Sequence, residues 1–494
     1  MTTMKKKMMM MNKIFVLILI LFFSVSVNAS ELTDEANKDW LELVRKYNKT
    51  SSDNFEEIES ENKWSRLINK LPSTDSFLSE WWRTLGDEVL TDLIEEAFLH
   101  NRDLILARAR VLEARAQLGI SRTNFNPKAQ LESEYEHARN SDIEDIDNKR
   151  YNQYSIGIDA SWEIDFFGKN KHALEAAKAN LESEYANIDS AWVSLSAEVA
   201  SDYINLRILQ KRLKIAENNL KIQSELLEIL TSQRNSGLTN DLAVQKAHSE
   251  LEITRANIPE ITHSINQLLT ALAILTGEIP GSLDEKLSTP KDFPDVDISK
   301  LIGIPAETLR QRPDIKAAER KLAAQIQTRK TIEKSLYPTI QLIGSIGLES
   351  FSTGHLFSSG SYNYSIGPKI NWPIFNAGEI RKNIQVQTAI EKQLLAEFEG
   401  VILKAVGEVH DALNANAQEI LKNQSLKSGL KSAISNLEIT KNKYSQGLIN
   451  FTEVLNSQIE VFSIEDNFVS SEGQKIINLI TLFKSLGGGW KFLE

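Results

Sequence analysis

Carboxylates fall on one alternating face in each of two short stretches. Glu132, Glu134 and Glu136 alternate with Leu131, Ser133 and Tyr135, and Asp159, Glu163 and Asp165 alternate with Ile158, Trp162 and Ile164. Acids gathered on one face could favour cations through their summed field, or form a solvated face without selectivity. No carboxylate pair is placed for acid–base catalysis, and there is no nucleophile elbow or phosphate loop. Gly487-Gly488-Gly489 before Trp490 has the wrong spacing for a phosphate cradle. The histidines (His100, His137, His172, His248, His263, His355 and His410) show no i,i+4 pairing and read as surface residues. With no cysteine anywhere, thiolate metal sites, thiol redox chemistry and a lipid on an N-terminal Cys are excluded. The chain is expected to be no enzyme and to need no metal or cofactor.

The acids sit where hydropathy repeats every two residues, the period of a strand. Over Lys128–His137 one face carries Ala129, Leu131, Ser133 and Tyr135. Over Tyr154–Asp165 the apolar face is Tyr154, Ile156, Ile158, Ala160, Trp162 and Ile164, ending in an aromatic residue as interfacial strand ends do. Ala138–Asn152 reads as the intervening loop.

A long helix follows, with Tyr185, Trp192, Val199, Leu206, Leu213, Leu220 and Leu227 seven residues apart and a second train at Leu174, Leu181, Ile188 and Leu195. Paired trains at that spacing predict a coiled-coil seam. From Asn170 to Ser236 no proline interrupts, which gives a rod on the order of 100 Å. Such a rod belongs to an elongated assembly.

The first residues read as a secretory signal: four lysines, the apolar run Ile14–Phe23, and Val27-Asn28-Ala29 before Ser30. Removing those lysines takes the formal charge from −11 to about −15. An acidic mature chain argues against nucleic acid as a partner. After the signal no apolar run of about 20 residues remains, so membrane crossing is left to strands.

The whole arrangement then repeats. Arg312-Pro313-Asp314 echoes Asn101-Arg102-Asp103, Tyr337-Pro338 echoes Asn126-Pro127, and Tyr364-Ser365-Ile366-Gly367 echoes Tyr154-Ser155-Ile156-Gly157. Ser445-Gln446-Gly447-Leu448 matches Asn235-Ser236-Gly237-Leu238. The displacements stay at 211 or 210 (338 − 127 = 211; 447 − 237 = 210), so the chain is a tandem duplication. The expected division is a signal over 1–29, an N-terminal arm over 30–80, a first repeat over 81–277, a link over 278–302, a second repeat over 303–490 and a tail over 491–494. Within the repeats the hairpins fall at 128–165 and 339–373, the long helices at 170–236 and 379–445, and the return helices at 239–277 and 450–486.

The expected fold class is therefore mainly α with a transmembrane β-barrel portion. Four amphipathic strands cannot lie in lipid as an open sheet, because each unpaired edge group would cost several kcal/mol. About eight strands is the smallest barrel that still packs its interior. Two copies would give a filled plug, and three would give twelve strands and a polar lumen. The hairpin loops then project outward, and the turns at Gly237 and Gly447 form the far periplasmic tips.

Together these features resemble the TolC-type outer-membrane factors, in the branch serving efflux pumps of the resistance–nodulation–division class. The resemblance spans Phe77 to Trp490. It rests on Trp81-Trp82 with Gly86-Asp87, Asn101-x-Asp103-Leu104, Trp162-Glu163-x-Asp165-x-Phe167-Gly168, Arg312-Pro313-Asp314-Ile315 and Leu486-Gly487-Gly488-Gly489-Trp490. It implies a homotrimer in outer-membrane lipid, docked to a periplasmic adaptor and served by an inner-membrane pump. Members of the branch often carry a lipidated Cys where Ser30 stands.

By the same resemblance, Arg234, Gly237 and Leu238, with Gly447 and Leu448, are adaptor-docking tips; the two glycines also suit plain helix C-caps. Tyr444, Glu453 and Asn456 stand where the family places an aromatic gate and an acidic ring, Asn456 replacing a common acid. Glu453 also suits a helix N-terminal dipole. Glu132, Glu134, Glu136, Asp159, Glu163 and Asp165 would line the barrel. The leading reading is a passive exit duct for small molecules. A duct for type I protein secretion and a pore-less coiled-coil envelope protein are the alternatives.

Overall fold

The computed structural model describes residues 80–139, 150–294 and 311–489. The signal, most of the N-terminal arm, residues 140–149 of the expected hairpin loop, the end of the link with the start of the second repeat (295–310), Trp490 and the tail lie outside the described residues, and the strands take in both ends of that loop. A 3-10 turn, Trp81–Leu85, precedes α1 (Glu88–His100) and α2 (Arg102–Thr123). The hairpin β1 (Lys128–Arg139) and β2 (Arg150–Ile164) leads into α3 (Lys169–Asn235), which returns as α4 (Asp241–Leu275). A short α5 (Asp284–Leu287) opens the link. The second repeat comprises α6 (Pro313–Lys334), β3 (Thr339–Ser350), β4 (Tyr362–Asn371), α7 (Glu379–Ser445) and α8 (Phe451–Ser485).

The boundaries of the repeated helices and of the first strand in each hairpin keep the duplication to the residue. A displacement of 210 takes both ends of α3 onto α7 (379 − 169 and 445 − 235) and both ends of α4 onto α8 (451 − 241 and 485 − 275). A displacement of 211 takes α2 onto α6 (313 − 102) and β1 onto β3 (339 − 128). The two long helices have 67 residues each, about 100 Å of rod.

The strands form one antiparallel sheet in the order β1-β2-β3-β4, so the two hairpins join through β2 and β3. No helix among the described residues is apolar and long enough to cross a membrane. By contrast, β2 has 15 residues, more than the roughly ten a tilted membrane strand needs.

One core sits at mid-length, where Trp81, Trp82, Leu90, Leu93, Ile94 and Phe98 press on Trp192, Val199 and Tyr203 of α3 and on Phe483 of α8. Trp81 stacks on Phe483 with ring centroids 5.2 Å apart, and Trp82 meets Phe98 edge-on at 5.5 Å. Leu283 and Leu287 also enter this core, so the first part of the link is a packed element and no mere tether. A second cluster at the helical tips joins Leu230, Ala243 and Ala247 to Leu437, Phe451, Val454 and Leu455.

The heptad trains need one correction. Trp192, Val199 and Leu206 are buried, but Tyr185 is 43% exposed. Between the sheet and that point the buried face of α3 is instead Ala176, Ala177, Ala179, Ser183 and Ala186. Small residues let α6 come close to α3, and Ser183 Oγ donates to Ala317 O at 3.0 Å. Near the sheet, close backbone approach replaces knobs of leucine.

Candidate duct wall and periplasmic tip

Strand register assigns the side chains to faces. Leu131↔Ile158, Ile158↔Ile346 and Ile346↔Tyr364 make one continuous apolar row, and Ile164↔Ile340↔Ile370 makes another. Glu132↔Gly157↔Gly347↔Asn363 and Gln130↔Asp159↔Ser345↔Ser365 form rows on the opposite face. Glu134, Glu136 and Glu163 share that polar face. Gly157 and Gly347 oppose each other so closely that a Cβ at Gly347 would lie 2.8 Å from Ile156 O, which suits the concave side of a bending sheet. The outer rows stay open to the surroundings, Leu131 at 71% and Ile366 at 76% exposure.

Asp165 belongs elsewhere. It lies beyond the end of β2, and its carboxylate accepts from the backbone N–H groups of Asn170 (3.1 Å) and Lys171 (2.8 Å). It serves the unsatisfied donors at the start of α3. Glu163, near the same strand end, is 3.9 Å from Lys169 Nζ. Both strands feeding the long helices end in a tied tryptophan. Trp162 Nε1 donates to Phe125 O at 2.8 Å, and Trp372 Nε1 donates to Leu336 O at 3.1 Å.

At the opposite end both turns are Schellman caps. Gly237 has φ 71° and Gly447 φ 73°. Leu238 N donates to Gln233 O at 2.8 Å, and Leu448 N donates to Lys443 O at 3.0 Å. Asn240 and Asn450 then cap the return helices through Ala243 N and Glu453 N. Leu238 and Leu448 are left exposed at the tips. Arg234 Nε sits 2.5 Å from Asp241 Oδ1.

The residues expected at an aperture are partly brought together. Tyr444 donates from its hydroxyl to Gln233 Oε1 at 2.9 Å and meets the Phe451 ring at 5.4 Å, tying the two long helices at the tip. Asn456 Oδ1 accepts from Lys246 Nζ at 2.8 Å, so the return helices are joined as well. Glu453 is exposed in the first turn of α8. Gln233, Lys246 and Phe451 were not singled out by sequence, because their partners lie across a turn or in the other repeat. Further up, Arg212 grips Asp466 with two bonds of 2.7 and 3.0 Å between α3 and α8.

The motif residues prove to be clamps. Asn101 caps α2 through Asp103 N and Leu104 N, and its Nδ2 donates to Leu275 O at 3.0 Å, the end of the return helix. Arg312 occupies the equivalent place and donates to Ser485 O at 2.6 Å while pairing with Asp314 and Glu408. Burial opposes the Arg312 charge, yet the bonds to those two carboxylates hold its pKa above the ordinary arginine value. Asp87 accepts from Val89 N and from the Tyr203 hydroxyl at 2.5 Å. Burial lifts the Asp202 carboxyl to about 6, with Glu198 pushing the same way. It lifts Asp189 to about 6 against the pull of Lys316.

A membrane sheet carried on paired rods that end in capped turns defines an outer-membrane channel with a helical tunnel. Comparison with known proteins agrees. The model of the outer membrane efflux protein family matches residues 93–278 and 304–488. The chain is 30% identical over 431 residues to the cation efflux system protein CusC of Escherichia coli O6:H1, covering 86% of this chain and 91% of the relative. It is 29% identical to the toluene efflux pump outer membrane protein TtgF of Pseudomonas putida, covering 83% and 85%. The solved structure of the outer-membrane channel OprN superposes with a TM-score of 0.79 at 30% identity, covering 83% of this chain and 93% of that one. The chain belongs to the outer membrane efflux protein family. It is an outer-membrane efflux channel with its helical part in the periplasm, and it carries out no bond chemistry.

Proposed function

We propose that three copies close the sheet into a twelve-stranded barrel and form a passive exit duct for small molecules, fed by an inner-membrane pump through a periplasmic adaptor. The observation that carries this reading is the sheet itself, with one apolar face, one polar face and two free edges in each copy. In lipid those edges need partners. Three copies leave a polar lumen lined by Glu132, Glu134, Glu136, Asp159 and Glu163, whose field favours cations.

The turns at Gly237 and Gly447, with Arg234, Leu238 and Leu448, are the docking tips. Tyr444, Glu453 and Asn456 form the aperture, with Tyr444 held by Gln233 and Asn456 by Lys246. Light scattering of the detergent-solubilised mature protein tests the assembly: three chains per particle support it, and a monomer refutes it. Docking is tested by Gly237→Trp, which should abolish cross-linking to the cognate adaptor and leave the particle mass unchanged. Undiminished cross-linking would remove the tip from the docking surface.

A further inference from the structure

The duplication fixes more than the fold of one copy. Within the chain, the displacements that carry β1 onto β3 and β2 onto β4 also carry one hairpin's register onto the other's. The pair Lys128↔Ser161 becomes Thr339↔Asn371 (128 + 211 = 339; 161 + 210 = 371), which is the register the second hairpin has. The operator relating the repeats therefore holds at the level of single strand pairs.

The same operator can be applied to the junction between repeats. There β2 pairs with β3, and Asp159 lies opposite Ser345. Advancing β2 by 210 and moving β3 back by 211 turns this pair into Lys369 on β4 and Glu134 on β1 (159 + 210 = 369; 345 − 211 = 134). Those strands are the two free edges of the sheet. Likewise Ser161↔Ile343 becomes Asn371↔Glu132, and Gly157↔Gly347 becomes Gly367↔Glu136.

We infer that β4 of one copy pairs with β1 of the next in this register, so that Lys369 lies opposite Glu134 of a second copy of this chain on the lumen face. The inference rests on the proposed closure of the barrel across copies. Charge supports it independently of the symmetry. Lys369 is the one basic residue of β4, and β1 offers a run of three glutamates at alternate positions. Among the described residues neither Lys369 nor Glu134 has an ion-pair partner within its own copy, whereas Glu132 takes a bond from Gln130. Directly opposed residues in antiparallel strands bring their Cβ atoms to about 5 Å, and the diagonal neighbours Glu132 and Glu136 stand at about 7–8 Å.

Helical faces follow the same operator. Ala179 and Ala186 lie on the buried face of α3 that carries Ser183, and their counterparts on α7 are Ala389 and Ala396, both exposed (389 − 179 = 210; 396 − 186 = 210). The contact of Ser183 with Ala317 carries over to Gln393 on α7 and Leu106 on α2, both exposed (183 + 210 = 393; 317 − 211 = 106).

The chain has no cysteine, so a disulfide reports only on an introduced pair. Lys369→Cys combined with Glu134→Cys should give covalent dimers and trimers on oxidation in outer-membrane vesicles. Pairing Lys369→Cys with Glu132→Cys or Glu136→Cys should give about tenfold less, because disulfides tolerate little excess Cβ separation. Stronger cross-linking at either flanking position overturns the register. So does no cross-linking at any position while light scattering still finds three chains, whereas a monomeric wild type would fell the closure reading itself. If the double variant fails to fold, charge reversal decides: Lys369→Glu should lower the trimer's Tm and adding Glu134→Lys should restore it. A Tm left unrestored overturns the pair.

Discussion

At the two tips one backbone carries two chemistries. Arg234 and Tyr444 are equivalent positions, as are Asp241 and Phe451 (444 − 234 = 210; 451 − 241 = 210). In the first repeat they form an ion pair with side chains 49% and 71% exposed. In the second they form an edge-on aromatic pair with Phe451 buried in the tip cluster. Exposed ion pairs contribute about 0–1 kcal/mol, whereas an aromatic pair adds about 0.5–1.5 kcal/mol beyond the area it buries. Duplication preserved the Schellman turn, while the side chains beside it diverged from an exposed ion pair to an aromatic pair packed in the tip cluster.

The rods differ in the same spirit. Val193 and Tyr203 of α3 are buried, Tyr203 within the tryptophan cluster, but their counterparts on α7, Leu403 and Leu413, are 54% and 42% exposed. The elements that cover α3, the turn Trp81–Leu85 and α1, precede only the first repeat among the described residues. Among the described residues, that face of the second rod stays open.

Substitutions can break this asymmetry in order of size. Phe451→Ala should cost about 3 kcal/mol of local stability and speed hydrogen exchange more at the α7–α8 tip than at the α3–α4 tip, which shares only the edge of its cluster. Equal acceleration at both tips would mean the pair does not set the difference. Arg312→Ala should cost about 2 kcal/mol, since it frees Ser485 O and leaves Asp314 and Glu408 without their shared cation. Its counterpart Asn101→Ala should cost about 1 kcal/mol, the worth of a cap with one added bond. Melting temperatures of the two variants check that order.

Acid should act on the first rod. A folded-state carboxyl at about 6 binds its proton more tightly than the unfolded chain does, where the ordinary value is 3.8. That stabilisation is complete below the ordinary value and is lost as pH rises through about 6. The Tm should therefore rise as pH falls from 7.5 to about 5.5. Asp202→Asn should flatten part of the slope, because the second rod carries Ala412 at that position. Smallest of all, Arg234→Ala should shift stability by less than about 0.5 kcal/mol, as removal of an exposed ion pair does.

Much of this was legible in the sequence because it is periodic. Alternation at two separated apolar from polar rows, and the registers keep those rows on opposite faces of the sheet. Caps at Gly237 and Gly447 were readable from a single glycine each. What stayed hidden depends on partners far along the chain: Asn101 meets Leu275 across 174 residues, and Arg312 meets Ser485 across 173. Their motif marked them, but spacing alone does not tell a clamp from a binding residue. Asp165 kept the strand's alternation past its end, so its turn toward the α3 backbone could not be read from periodicity.

Planar-bilayer recording of the purified mature protein tests the duct most directly. Discrete conductance steps are predicted, with a reversal potential shifted toward cations in a salt gradient and a larger step after Glu453→Ala. A protein that inserts into the bilayer and passes no current would contradict the account.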